Sequence, residues 1–238
     1  MKAIAIIPAR LASTRLPGKM LRNIGGKSLV AHTYLGVSAS RLLDQVIVAT
    51  DSEEIMRVCQ ENGWPSRMTS AEHRSGTERV REVANSIEAD VYVNVQGDEP
   101  LTRPEHISAL LEVMNDPEVQ VGTLKTPAAP ADVHNPSAVK VVTDLRGRAL
   151  YFSRATIPFD RDSTRPQIYK HLGFYAYRKP ALDGFCAWPE SPLERSERLE
   201  QLRFLENGIP IQVGETPYDT IGVDTEEDLE RMAKILGG

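Results

Sequence analysis

The chain opens on an uninterrupted apolar run over residues 3–7 that stops at Pro8, the pattern of a strand buried on both faces of a parallel sheet. Helical spacing follows over 28–43, then QVIVAT (45–50) reads as a second strand and EEIMRVCQEN (53–62) as a second helix. That alternation is the βαβ rhythm. Ser75 and Glu78 stand at capping-box spacing at the head of a helix predicted over 75–88, with Val80, Val83, Ala84 and Ile87 on one face. VYVNV (91–95) reads as a central strand, and Thr102 with Glu105 opens a further helix that turns Ile107, Leu110, Leu111 and Met114 inward.

Beyond residue 120 the pattern changes. VGTLKTP, AVKVVTD and ALYFSRA read as strands separated by turns such as DLRGR, and antiparallel pairing is expected. SPLERSERLEQLRFLENG (191–208) predicts one helix with Ser191 as N-cap, Pro192 at its first position and Gly208 as its stop. A last helix is expected over 226–236, capped by Thr225.

With 238 residues, 41% hydrophobic and 26% charged, the chain can build one complete core with an elaborated second half. No repeat, low-complexity tract or Gly/Ser-rich linker divides it, so 1–238 is read as a single domain. A net charge of −5 offers no general attraction to polyanions, which argues against nucleic acid or an anionic membrane as partner. Cys59 and Cys186 lack the spacing of a zinc site or disulfide framework and are expected as reduced thiols. The opening run is broken by Pro8 and Arg10, and no stretch of about 18 apolar residues occurs, so neither a secretory signal nor a membrane span is expected.

The loop IPARLASTRLPGK sets Arg10, Arg15 and Lys19 among small residues directly after the first buried strand, where backbone N–H groups and cations can wrap a triphosphate. It matches neither GxxxxGK[ST] nor GxGxxG, which disfavours a P-loop kinase and a dinucleotide-dependent dehydrogenase. VNVQGDEP ends a strand in Gln96 and Asp98, at the edge where open α/β sheets bind ligands. A Mg²⁺ ion there needs one further carboxylate, and Asp224 is the candidate; its other reading is as part of the last helix's capping region. Arg74, Ser75 and Thr77 head a helix that either holds an anion or nucleobase edge or is only a capped surface helix. Arg154, His171, Tyr175, Glu200 and Gln201 suit an acidic, polyhydroxylated substrate; the alternatives are a solvated helix face for Glu200 and Gln201 and a hydrogen-bonded core residue for His171. These features together point to Mg²⁺-dependent nucleotidyl transfer from a nucleoside triphosphate.

Through IIPARLASTRLPGK, ATDSEEI, HRSGTERV, VNVQGDEP, AVKVV, YFSRATIPF, KHLGFYAYR, LERSERLEQLR and GVDTEEDLERM, in that order over residues 2–234, the sequence resembles the 3-deoxy-manno-octulosonate (KDO) cytidylyltransferases. QGDEP, HLGFYAYR and LEQLR favour that branch over the CMP-sialate synthetases. The resemblance implies an α/β, Rossmann-like nucleotidyltransferase fold with a mostly parallel central sheet. It also implies an inserted antiparallel lobe over 122–165 that binds sugar and forms the interface of a cytoplasmic homodimer. The implied reaction transfers CMP from CTP to the anomeric hydroxyl of KDO, giving CMP-KDO and pyrophosphate for lipopolysaccharide biosynthesis; a related acidic sugar such as 8-amino-KDO is the alternative substrate. By the same resemblance, Arg10, Lys19 and Asp98 are catalytic, and Arg10, Lys19, Arg74, Ser75, Thr77 and Gln96 bind CTP. Gln96, Arg154, His171, Tyr175, Glu200 and Gln201 contact the sugar, Arg154 through its carboxylate, and Asp98 and Asp224 hold Mg²⁺.

Overall fold

The apolar run at the start of the chain is β1 (Ala3–Pro8), buried at every position. It leads through a 3₁₀ turn at Lys19–Leu21 and a minimal hairpin, β2 (Asn23–Ile24) and β3 (Lys27–Ser28), into α1 (Leu29–Ser38). Strand and helix then alternate as β4 (Gln45–Thr50), α2 (Glu53–Glu61), β5 (Ser66–Met68), α3 (Gly76–Ala84), β6 (Val91–Asn94) and α4 (Pro104–Val113). The computed structural model describes residues 1–13 and 15–237, so Thr14 of the first loop lies outside the described residues. Two compact units result, Met1–Ser108 with Thr220–Gly238, and Ala109–Asp219.

In the first unit β1 pairs in parallel with β4 on one side and β6 on the other, and β5 extends the sheet beyond β4. Parallel strands with helical crossovers must be covered on both faces, which is why β1, β4 and β6 read as near-continuous apolar runs. The Ser52 hydroxyl accepts the Ile55 N–H to start α2, and Glu53 and Glu54 follow in the first turn, where the helix dipole favours negative charge. The predicted start of α4 is corrected. The Thr102 hydroxyl donates to the Glu99 carbonyl, the Arg103 N–H is taken by His106 Nδ1, and Pro104 begins the helix. The helices predicted over 28–43 and 75–88 are also shorter, ending at Ser38 and Ala84.

The second unit holds β7 (Val121–Pro127), β8 (Lys140–Thr143), β9 (Ala149–Ser153), β10 (Tyr169–Tyr177), α5 (Lys179–Ala187), α6 (Pro192–Glu197), α7 (Leu202–Glu206) and β11 (Ile211–Glu215). β7 runs antiparallel to β10 and parallel to β11, while β8 pairs antiparallel with both β9 and β10. The strands expected from VGTLKTP, AVKVVTD and ALYFSRA are β7, β8 and β9, and the lobe expected over 122–165 lies inside this unit. The chain then rejoins the first unit in α8 (Glu226–Leu236), whose predicted bounds and Thr225 cap are both observed. Leu229 and Met232 of α8 pack with Leu16, Ile24, Leu29 and Val223 in one buried cluster.

The single helix predicted over 191–208 is two, broken at Arg198, whose φ of 56° is left-handed. A continuous helix would pair the carbonyls of Glu197 and Arg198 with N–H groups one turn on. Here they accept instead from the Arg154 guanidinium, at 2.7 and 3.3 Å. The predicted cap is present, with the Ser191 N–H donating to Glu194 at 3.1 Å. That same Glu194 carboxylate forms a buried fork with Arg203, whose Nε lies 2.7 Å from it and whose other nitrogen reaches the Phe185 carbonyl at 3.0 Å.

Neither Cys59 nor Cys186 is in a disulfide, and burial pushes the Cys59 thiol up to about 11. Among the described residues no helix is long and apolar enough to cross a membrane. Because removing one partner of a buried pair strands the other's charge, Glu194→Gln is expected to cost about 3 kcal/mol of stability, read as a lower urea midpoint.

Candidate active site

The first loop, the end of β6 and the head of α8 meet around one ammonium group. Lys19 Nζ lies 2.5 Å from Asp98 Oδ2 and 3.0 Å from Asp224 Oδ1, and Arg15 reaches the other oxygen of Asp224 at 3.0 Å. The Lys19 side chain is only 9% exposed. Backbone geometry brings these groups together: the Gly97 N–H donates to the Pro8 carbonyl at 3.1 Å, and the Val223 N–H donates to the Asp98 carbonyl at 3.0 Å. Gly97 is required by close approach, since a Cβ there would stand 3.0 Å from the Pro8 oxygen and 3.1 Å from Met20 Sδ. Underneath, Leu16 and Val223 share the apolar cluster built on α8, which fixes the loop against the helix start.

Electrostatics reinforce the arrangement. Burial works against the Lys19 ammonium, but Asp98 and Asp224 outweigh it and hold its pKa above the ordinary lysine value. Burial would raise Asp224, and Lys19 and Arg15 reverse this, leaving the carboxyl below its usual range. Capping falls to Thr225 and Asp228, while the Asp224 side chain turns to Lys19 and Arg15.

Elsewhere in the first unit, Arg10 and Arg74 are exposed and their side chains take no partner among the described residues. Ser75 is spent as the N-cap of α3, its hydroxyl accepting the Glu78 N–H at 3.2 Å, while Thr77 is buried one residue into the helix. Gln96, half-buried, lies against the first residue of α3.

The remaining candidates belong to the second unit and are grouped there. His171 and Tyr175 leave β10 side by side, ring centroids 5.4 Å apart. The Thr123 hydroxyl donates to the Phe174 carbonyl at 2.7 Å, so at 3.0 Å it accepts from His171 Nε2; this network assigns the imidazole proton to Nε2 and leaves Nδ1 as an acceptor. The Tyr175 hydroxyl is buried and makes no hydrogen bond. Burial, then Tyr177 and Glu200, push its pKa well above the usual phenol value. Glu200 and Gln201 sit in the turn between α6 and α7, not on a helix face as expected. Every guanidinium nitrogen of Arg154 donates to a backbone carbonyl, of Glu197, Pro136 or Arg198, which ties it to that same turn.

The profile of the cytidylyltransferase family matches residues 4–215. A protein of Koribacter versatilis (strain Ellin345) named 3-deoxy-manno-octulosonate cytidylyltransferase is 67% identical over 237 residues, spanning 99% of this chain and 90% of its own. One of Acidobacterium capsulatum with the same name is 54% identical, spanning 99% and 97%. This chain belongs to the 3-deoxy-manno-octulosonate cytidylyltransferase family. The solved structure of a CMP:2-keto-3-deoxy-manno-octonic acid synthetase complexed with CTP superposes with a TM-score of 0.95 at 42% identity, over 99% of this chain and 98% of that one. The mixed, mostly parallel α/β architecture is thus the nucleotidyltransferase fold of that family.

Two supporting residues of this cytidylyltransferase site escaped sequence reading. Arg79 of α3 is buried and donates to Asp51 at 2.8 Å and to the Thr69 hydroxyl, while the other Asp51 oxygen accepts from the Leu11 N–H at 3.4 Å. Both stand inside quoted motifs, ATDSEEI and HRSGTERV, but no spacing rule pairs residues from separate motifs across the end of a sheet.

His171 generates a pH signature. Part of the residue stays exposed, yet Phe152, Tyr175 and Thr123 enclose its ring, and this burial lowers its pKa from 6.5 to about 3. The unfolded chain therefore takes up a proton that the folded chain refuses between those values, and stability falls as pH drops below 6.5, by up to about 1.4 kcal/mol per pH unit. His171→Gln is expected to flatten the pH dependence of the urea midpoint from 6.5 down to about pH 5, above the range where carboxylates titrate.

Proposed function

We propose that this chain transfers CMP from CTP to the anomeric hydroxyl of KDO, releasing pyrophosphate and forming CMP-KDO for lipopolysaccharide assembly, in the cytoplasm and as a homodimer. What carries the reading is the Lys19, Asp98 and Asp224 group beside the loop after β1, in a chain 67% identical to a relative of that name. Exposed Leu145, Leu150 and Phe159 in the second unit support a dimer contact through the lobe.

Asp98 and Asp224 fit a Mg²⁺ ion. Their oxygens converge on one cation already, at 2.5 and 3.0 Å, and hard carboxylate oxygens completed by substrate phosphate are the donors this ion prefers. When bound, it would polarise phosphate oxygens and the attacking hydroxyl. The chain's own contribution is placement and charge. Lys19 and the exposed Arg10 neutralise the departing pyrophosphate as the sugar hydroxyl oxygen bonds to the α-phosphorus, its proton passing to a carboxylate or solvent, and the bridging α–β P–O bond breaks in line. Arg74, Ser75 and Thr77 at the head of α3 hold the nucleotide, supported by the positive end of the helix dipole, and Gln96 contacts nucleotide and sugar.

For the sugar, a buried phenol with no partner and an imidazole nitrogen left as acceptor support hydroxyl contacts by Tyr175 and His171, and Glu200 and Gln201, on the turn between α6 and α7, complete the set. Arg154 shapes that turn, and its remaining N–H donors serve the substrate carboxylate.

Purified protein with CTP and Mg²⁺ should release pyrophosphate with KDO and not with sialic acid or without sugar. A preference for 8-amino-KDO would move the assignment to that sugar, and silence with every sugar acid would refute it. Asp98→Asn should lower kcat by about 100-fold or more, since a lost metal ligand costs several kcal/mol; turnover near the parent's would remove Asp98 from the site.

A further inference from the structure

Gln96 is held from two sides by residues to which no role has been given. Gln96 lies two residues beyond Asn94, the last residue of β6, where the chain still follows β1 through the Val95 and Gly97 N–H groups, and the two amides meet. Asn94 is 1% exposed among valines, so its amide must find a partner inside the protein. It finds Gln96, whose Nε2 donates to Asn94 Oδ1 at 3.1 Å. From the other side comes Gly76, the first residue of α3. A Cβ there would stand 2.8 Å from Gln96 Nε2, 3.0 Å from Oε1 and 3.3 Å from Cδ, so Gly76 meets the amide end on, between its nitrogen and its oxygen, and leaves no room for a methyl group. Gly76 does not have a left-handed φ, so space, and not backbone freedom, is what demands glycine here.

We propose that Asn94 and Gly76 are positioning residues that lock the Gln96 amide, with Nε2 committed to Asn94 and Oε1 presented as an acceptor to a ligand hydroxyl or exocyclic amine. This rests on the reading of Gln96 as a ligand contact. An amide free to flip would offer donor and acceptor alternately, and a ligand group would meet the wrong one half the time. Locked, it accepts a hydrogen bond and rejects a ligand carbonyl at that point, because carbonyl oxygen and Oε1 would face each other without a proton between them.

A double-mutant cycle tests this on the full-length enzyme. Gly76→Ala and Asn94→Leu should each lower kcat/KM about tenfold, while in a Gln96→Ala background neither lowers it by more than about twofold, since the group they position is gone. The thermal midpoint of at least one single variant should stay within a few degrees of the parent's, and Asn94→Leu serves if Gly76→Ala misfolds. Losses that multiply fully in the Gln96→Ala background would overturn the inference, as would parental activity in both Gly76→Ala and Asn94→Leu. Parental activity in Gln96→Ala would take Gln96 out of ligand contact and the inference with it. A parent that releases no pyrophosphate with any sugar acid would instead refute the functional reading itself, and with it any turnover for Gln96 to serve.

Discussion

A buried ammonium cannot stand without counter-charge, and much of the first unit is arranged to supply it. Lys19 sits between Asp98 and Asp224, the second of them 205 residues away in sequence, and neither carboxylate is placed by its own local structure alone. Asp98 is delivered by the Gly97 turn packed against the end of β1, and Asp224 by a helix whose apolar face closes over Leu16. Desolvation penalises all three groups, and their mutual attraction offsets it only at hydrogen-bonding distance. Small errors in the loop, the turn or the helix start would therefore be felt at the same point.

Residues proposed to touch ligands and residues that hold them in place are interleaved along the motifs. In HRSGTERV, Ser75 caps the helix, Gly76 makes room for Gln96 and Arg79 is locked to Asp51, which leaves Arg74 as the exposed charge. In LERSERLEQLR the fork between Glu194 and Arg203 fastens the two helices, and the turn they flank carries Glu200 and Gln201. A motif of this kind has two functions compressed into one string, and only coordinates separate them.

That compression explains what was legible. Strands β1, β4 and β6 were readable because burial on both faces leaves their middles without polar interruptions, and α8 because Thr225 and Asp228 cap it locally. The grouping of Lys19, Asp98 and Asp224 could be anticipated from chemistry, since each lies at a strand edge or helix start. The break at Arg198 could not, because the group that takes up the freed carbonyls, Arg154, is more than forty residues earlier, at |i−j| of 43 and 44. The start of α4 differs for a local reason: the Thr102 hydroxyl turns back to Glu99, three residues earlier, and the Thr–x–x–Glu spacing is not used as a cap. A tertiary partner decides the first case, and a side chain bonding to neighbouring backbone decides the second.

The return of the chain to its first unit also sets an order in time. Lys19 and Asp98 are translated within the first unit's opening stretch, whereas Asp224 and the helix that seats it follow only after the whole of Ala109–Asp219 has been made. On a growing chain the ammonium has one carboxylate and waits for the other. Strands β1, β4, β5 and β6 are made long before Asp224, so in the order of synthesis that unit's scaffold precedes its chemistry.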